Sequence, residues 1–147
     1  MNKKRFLASV LNIFVLCFVI FCVSIFFVYK ENYIGYVLIF LAALCLASLR
    51  FFNIKIKSTG PDVIFGVIDN GILAVMAVVG GEIAGVAGAI VGGVVGNAIT
   101  DGIAGIFEGY WAESSVNDKR TVLGSAVGKM AGCLLGAGVV LVAASFF

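Results

Sequence analysis

Oxygen-bearing side chains interrupt a chain otherwise suited to lipid: Asp69 and Asn70 in "FGVIDNG", Glu82, then Asn97, Thr100, Asp101 and Glu108 in "GNAITDGIAGIFEGY". Carboxylate, amide, hydroxyl and backbone carbonyl oxygens without any histidine suit hard cations such as Ca²⁺, Mg²⁺, Mn²⁺ or Na⁺. At about 100° per helical residue, Asp101 lies about 40° and Glu108 about 20° from Asn97, so the three share one face and Thr100 stands one step around it. Asp69 lies seven residues inside Asp62, about 10 Å along a helix axis. An acid near mid-bilayer costs about 3 kcal/mol on insertion scales, so Asp69 and Asp101 need a partner. Three are available: Lys129 as a counter-ion, a proton, or a bound cation. One lysine cannot neutralise both aspartates together with Glu82 and Glu108. Met76, seven residues from Asp69, reads first as a packing residue and second as a ligand for a softer metal.

The elements that must hold these groups follow from composition. Of 147 residues, 62% are hydrophobic and 12% charged, with a mean hydropathy of +1.16, which places the chain among all-α integral membrane proteins. Residues 6 to 29, 33 to 49, 62 to 80, 83 to 107 and 121 to 145 each approach the ~20 apolar residues of a bilayer-crossing helix, which predicts five transmembrane helices. The first apolar run is longer than a cleavable signal core and lacks an A-x-A site, so it is expected to remain as a signal anchor. Lys3, Lys4 and Arg5, then Arg50, Lys55 and Lys57, then Lys119 and Arg120 fall in alternate connections. The positive-inside rule puts them on the cytoplasmic side, or its organellar equivalent, with the C-terminus outside. Lys30 with Glu31, and the Val79-Gly80-Gly81-Glu82 junction, then form the outer turns. The expected location is a bacterial inner membrane, or an organellar inner membrane in a eukaryote. A net charge of +2 offers no field for nucleic acid. Cys17, Cys22, Cys45 and Cys133 lie in apolar runs without CxxC spacing, which indicates neither a disulfide framework nor zinc. No nucleophile motif suggests an enzyme or a covalent cofactor.

Nine of thirteen phenylalanines precede residue 53, and eighteen of nineteen glycines lie at or beyond Gly60. Residues 1 to 57 are therefore a Phe-rich N-terminal hairpin of two helices facing lipid, and residues 62 to 147 a Gly-rich three-helix transport core. The only proline, Pro61, marks a helix start. In helix four Gly81, Gly85, Ala89 and Gly93 recur every fourth residue, beside Gly88, Gly92 and Gly96; helix five carries Gly124, Gly128, Gly132 and Gly136. Such rows mark close helix packing, with Gly85 and Gly92 as packing positions in helix four. The first row continues into the face of Asn97, Asp101 and Glu108. More packing surface is present than a three-helix core readily uses, which predicts a homodimer with the helix-five row at the two-fold contact.

The segments "FGVIDNGIL" (Phe65 to Leu73), "GNAITDGIAG" (Gly96 to Gly105) and "LGSAVGKMAGCLLG" (Leu123 to Gly136) resemble the transmembrane protein sixty-five family, over about residues 62 to 140. The resemblance implies a membrane protein supporting Na⁺/Ca²⁺ exchange, with Asp69, Asn70, Asn97 and Asp101 matching the family's motifs. "DVIFGVIDNG" is more weakly similar to the vacuolar iron transporters, which would favour Fe²⁺ or Mn²⁺ with Met76 as a ligand. The expected function is a secondary transporter exchanging Ca²⁺ or a similar divalent cation for Na⁺ or H⁺. Asp69 and Asp101 would be its charged metal ligands, Asn70, Asn97 and Thr100 its neutral ones, Glu82 and Glu108 further acids, and Lys129 the counter-charge. The rival is a structural or regulatory protein, embedded in membrane lipid, whose glycine zippers serve only assembly.

Overall fold

Helix starts and stops in this chain are set by a few local residues. A computed structural model describes residues 3–28, 31–114 and 121–146, with the side chains of 3, 5, 31, 32 and 104–114 outside the description. Lys30, Lys119 and Arg120, and the side chains of Lys3, Arg5, Glu31 and Glu108, therefore lie outside the described residues. Four α-helices run in chain order: α1 Lys3–Phe27, α2 Glu31–Ser48, α3 Gly60–Ser114 and α4 Val122–Ala144. After α2 a short 3-10 turn, Leu49–Phe52, is closed by Asn53 in the left-handed region at φ 55°. Asn53 N donates to Arg50 O and Ile54 N to Leu49 O, both at 3.1 Å, the double closure of a Schellman motif. Ile54 then packs on the core that contains Leu49. At the start of α4 the Thr121 hydroxyl accepts from Gly124 N at 3.0 Å, a side-chain N-cap.

Among the described residues four helices, not five, are long and apolar enough to cross a membrane. The third and fourth expected helices are merged in the single element α3, and the turn expected at Val79-Gly80-Gly81-Glu82 is displaced. Gly80, Gly81 and Glu82 are helical, and the chain reverses further on, where Ala84 (φ −138°) and Gly85 (φ 58°, ψ −141°) leave helical geometry inside α3. No loop separates the two arms, 60–83 and 86–114. That they fold back on each other follows from their contacts. A Cβ added to Gly88 would overlap Gly80 O, one on Gly92 would overlap Met76 O, and one on Gly96 would meet the Leu73 Cα at 2.9 Å. As one number falls the other rises, so the arms are antiparallel. The packing row of the second arm is therefore Gly88, Gly92 and Gly96. Gly85, expected to pack, would have nothing within 4 Å of an added Cβ and serves the reversal instead.

Helix α4 is the central element, with two unlike faces. Its bulky face, Leu123, Val127 and Ala131, joins Leu16 of α1, Ala42 and Cys45 of α2 and Leu49 of the 3-10 turn in one buried cluster. Gly35 and Gly138 bring α2 and α4 together further along, the Gly35 Cβ position lying 2.8 Å from Val142 N. The N-terminal hairpin is thus joined to the Gly-rich region by α2, while α1 keeps most of its surface outside: Leu7, Phe14, Phe18 and Phe26 are exposed. The bare face of α4 lies on the first arm of α3. A Cβ on Gly128 would stand 3.0 Å from the Asp62 Cβ, one on Gly132 would overlap Val63 O, and one on Gly136 would stand 2.5 Å from Val67 O. Both sets of numbers rise together, so α4 and this arm are parallel. The row expected at a two-fold contact is therefore occupied within the chain.

Glycine substitutions separate these roles. Gly132→Ala drives a methyl into the Val63 carbonyl and Gly85→Ala forces a side chain into glycine-only backbone space, each expected to cost about 1–3 kcal/mol. Gly71→Ala, whose Cβ position has nothing within 4 Å, should change little. Melting temperatures in one detergent check the order; equal losses at all three positions would contradict it.

Candidate functional site

The close approach of α4 and the first arm decides which side chains meet. Along α4, Ser125, Lys129 and Cys133 recur every fourth residue and occupy one face. Each is level with a group on α3. The Ser125 hydroxyl donates to Asp62 Oδ1 at 2.7 Å. The Lys129 ammonium lies 4.7 Å from the centroid of the Phe65 ring, within cation–π range. The Asn70 amide donates to Cys133 Sγ at 2.7 Å and to Asp69 Oδ2 at 3.1 Å. Cys133 lies within the electrostatic reach of both Asp69 and Lys129.

Asp69 is the centre of this column. It is 9% exposed, and its two oxygens are engaged from different elements: Oδ2 by Asn70, and Oδ1 by the Thr100 hydroxyl of the second arm. Thr100, 2% exposed, also lies 3.1 Å from Gly96 O and 3.0 Å from Asn97 O. A hydroxyl has one proton to give, so Asp69 and two helix carbonyls share a single donor there. The cluster Asp69, Asn70, Thr100 and Cys133 thus gathers carboxylate, amide, hydroxyl and thiol where three helical segments converge. Such a group can hold a proton or a small cation in place of the shared hydrogen bonds.

The remaining expected residues fall elsewhere. The Asn97 amide donates to Asp101 Oδ2 at 2.9 Å, and Asp101 is exposed on the outward side of the second arm. Asp69 and Asp101 share no hydrogen-bond partner among the described residues, so the structure does not join them as a two-carboxylate site. Glu82 lies beside the reversal and is exposed. Met76 lies under Gly92 in the arm–arm contact, and the sulfur at the Asp69 cluster is that of Cys133. Among the described residues no three His, Cys, Asp or Glu side chains form a metal cage. Two participants are not singled out by sequence reasoning: Asp62, 2% exposed, and Ser125. The signal for both is the repeat of Ser125, Lys129 and Cys133 at the spacing of the neighbouring glycine row.

Four helices of this length and apolarity mark an integral membrane protein. No family model, curated protein or solved structure matches the chain, so its likeness to known families stands on the quoted segments alone.

Burial predicts unequal effects of the two polar clusters. Thr100→Val leaves a buried carboxylate oxygen without its donor and should cost about 1–3 kcal/mol. Asp101→Asn, at an exposed pair, should stay within about 0.5 kcal/mol. Unfolding in detergent, followed by tryptophan fluorescence or light scattering, reads the difference, and a larger loss for Asp101→Asn would refute the ranking.

Proposed function

We propose that the protein is a secondary cation transporter in which Asp69 is the charged ligand, with Asn70 and Thr100 supplying neutral oxygens, and that the exchange is of Ca²⁺ or a similar divalent cation for Na⁺ or H⁺. The observation that carries this reading is the buried Asp69 carboxylate at the junction of α4 and both arms of α3. Asp69 lies nine residues beyond Gly60, about 14 Å along the helix, which is close to mid-depth of a ~30 Å hydrocarbon core when Gly60 lies at its edge. Ionisable groups at such depth mark ion and proton paths far more often than they serve packing. The glycine contacts on both sides of Asp69 support movement of α4 and the second arm past the first arm, since backbones in contact slide without side-chain interlocking. The resemblance in "FGVIDNGIL" and "GNAITDGIAG" supports the Na⁺/Ca²⁺ pairing and an inner-membrane location, with the basic connections on the cytoplasmic or matrix side.

In this reading Asp101 is separate from the buried site, and the two aspartates differ in consequence. Asp69→Asn in proteoliposomes should lower Ca²⁺ flux driven by a Na⁺ or H⁺ gradient by roughly tenfold or more, the scale of a lost charge-assisted contact. Asp101→Asn should retain most of it. Unchanged flux in Asp69→Asn sinks the assignment. Running Mn²⁺ and Fe²⁺ beside Ca²⁺ tests whether the Cys133 thiol favours a softer ion.

A further inference from the structure

The Asn70 amide lies between a carboxylate and a thiol. Its single nitrogen donates to Cys133 Sγ at 2.7 Å and to Asp69 Oδ2 at 3.1 Å. An amide nitrogen brings two hydrogens and accepts nothing, so the carboxylate of the first arm of α3 and the sulfur of α4 both direct lone pairs at one point. Thr100 adds a hydroxyl from the second arm at the other oxygen of Asp69. A point that acceptors face from separate helices is where a cation fits, and Asn70 holds the positive end of an amide dipole there.

The donor set at that point is mixed in softness. Cys45 belongs to the cluster between α2 and α4, and Cys17 and Cys22 are exposed on α1, whereas Cys133 shares a donor with the Asp69 carboxylate. Zinc binds thiolate sulfur at about 2.3 Å and carboxylate oxygen at about 2.0–2.2 Å. An ion in place of the Asn70 nitrogen therefore needs each ligand atom to draw in by less than about 1 Å. Turning the amide over presents its oxygen to the ion in place of its nitrogen. The thiol proton is released as the metal–sulfur bond forms, so Asp69 and Cys133 together supply two negative charges to a divalent ion. Ca²⁺, a hard cation, draws on the oxygens alone, whereas a thiolate favours softer ions of the zinc type. Among the described residues no third His, Cys, Asp or Glu closes the group into a cage, which suits an ion that must leave again.

We infer that Cys133 is a specificity-determining residue of the Asp69 site, the sulfur ligand through which the site prefers thiophilic divalent ions of the zinc type over Ca²⁺. The inference rests on the reading of Asp69 as the ion ligand and narrows the class of divalent cation. Asn70 has two roles in it: its nitrogen ties Asp69 to Cys133 in the ion-free protein, and its oxygen becomes a ligand when the ion enters.

Titration of the purified full-length protein with Co²⁺, followed by absorption, and with ZnCl₂ and CaCl₂, followed by thermal shift, tests this without requiring transport. Co²⁺ should produce a thiolate-to-metal charge-transfer band that is lost in Cys133→Ser and kept when Cys17→Ala is combined with Cys22→Ala. Cys133→Ser, whose hydroxyl still accepts from Asn70, should weaken the apparent Zn²⁺ affinity by about tenfold or more and change that for Ca²⁺ by less than about threefold. A purely structural thiol predicts no band, and one common factor for both ions. Either result overturns the inference while leaving Asp69 as ligand. Should Cys133→Ser fail to fold, absence of the band from the wild-type protein overturns it without any variant. Zn²⁺ and Ca²⁺ responses that both survive Asp69→Asn overturn the ligand assignment, and this inference with it.

Discussion

Backbone-to-backbone contact between α4 and the first arm of α3 is the constraint on which the rest of the molecule depends. Gly132 and Gly136 let the Val63 and Val67 carbonyls approach to distances that exclude any side chain. In lipid, helices gain little from hiding apolar surface, so close packing and polar contacts must hold them together. Here the two coincide. The same approach that closes the glycine row brings Ser125 to Asp62 and Cys133 to Asn70. A helix pair held apart by leucines would leave those polar groups without each other.

The second arm completes what the first begins. Reversal at Gly85 returns the chain along the first arm, and the Gly88, Gly92 and Gly96 contacts set the register that places Thr100 on Asp69. Helix α4 meanwhile keeps its other face for α2 and the turn that follows it, with Val127 and Ala131 in one cluster with Cys45 and Leu49. One central helix thus has a bulky side that fastens it and a bare side that admits polar chemistry.

Much of this is legible in the sequence, and the failures have physical causes. Apolar runs indicate the membrane class and the helix positions, because hydropathy over about twenty residues is a strong signal. The glycine row of α4 is visible as a packing surface, but spacing does not say what it packs against; two-fold contact and internal contact read alike. Gly85 falls into a four-residue register by position, yet its backbone lies outside helical space, and the reversal sits at Ala84-Gly85 instead of Gly80-Gly81. Asp69, Asn70 and Thr100 are recognisable as ligand types. Asp101 groups with them in sequence because helical angle relates residues on one helix only, whereas the arm-to-arm register decides which residue reaches Asp69. Side chains 104–114, Glu108 among them, lie outside the described residues.

The parallel alignment of α4 with the first arm has an electrical consequence. Peptide dipoles in parallel helices point the same way, so the amino ends of α3 and α4 lie side by side and their partial positive charges add. Asp62, in the first turn of α3 and bonded to Ser125 near the start of α4, sits in that combined field. Asp69, two turns deeper, has largely left it, since the effect fades within the first turn. Two carboxylates of identical chemistry on one helix are therefore inequivalent: Asp62 lies in the field of the two helix ends, whereas Asp69 depends on the side chains of Asn70 and Thr100.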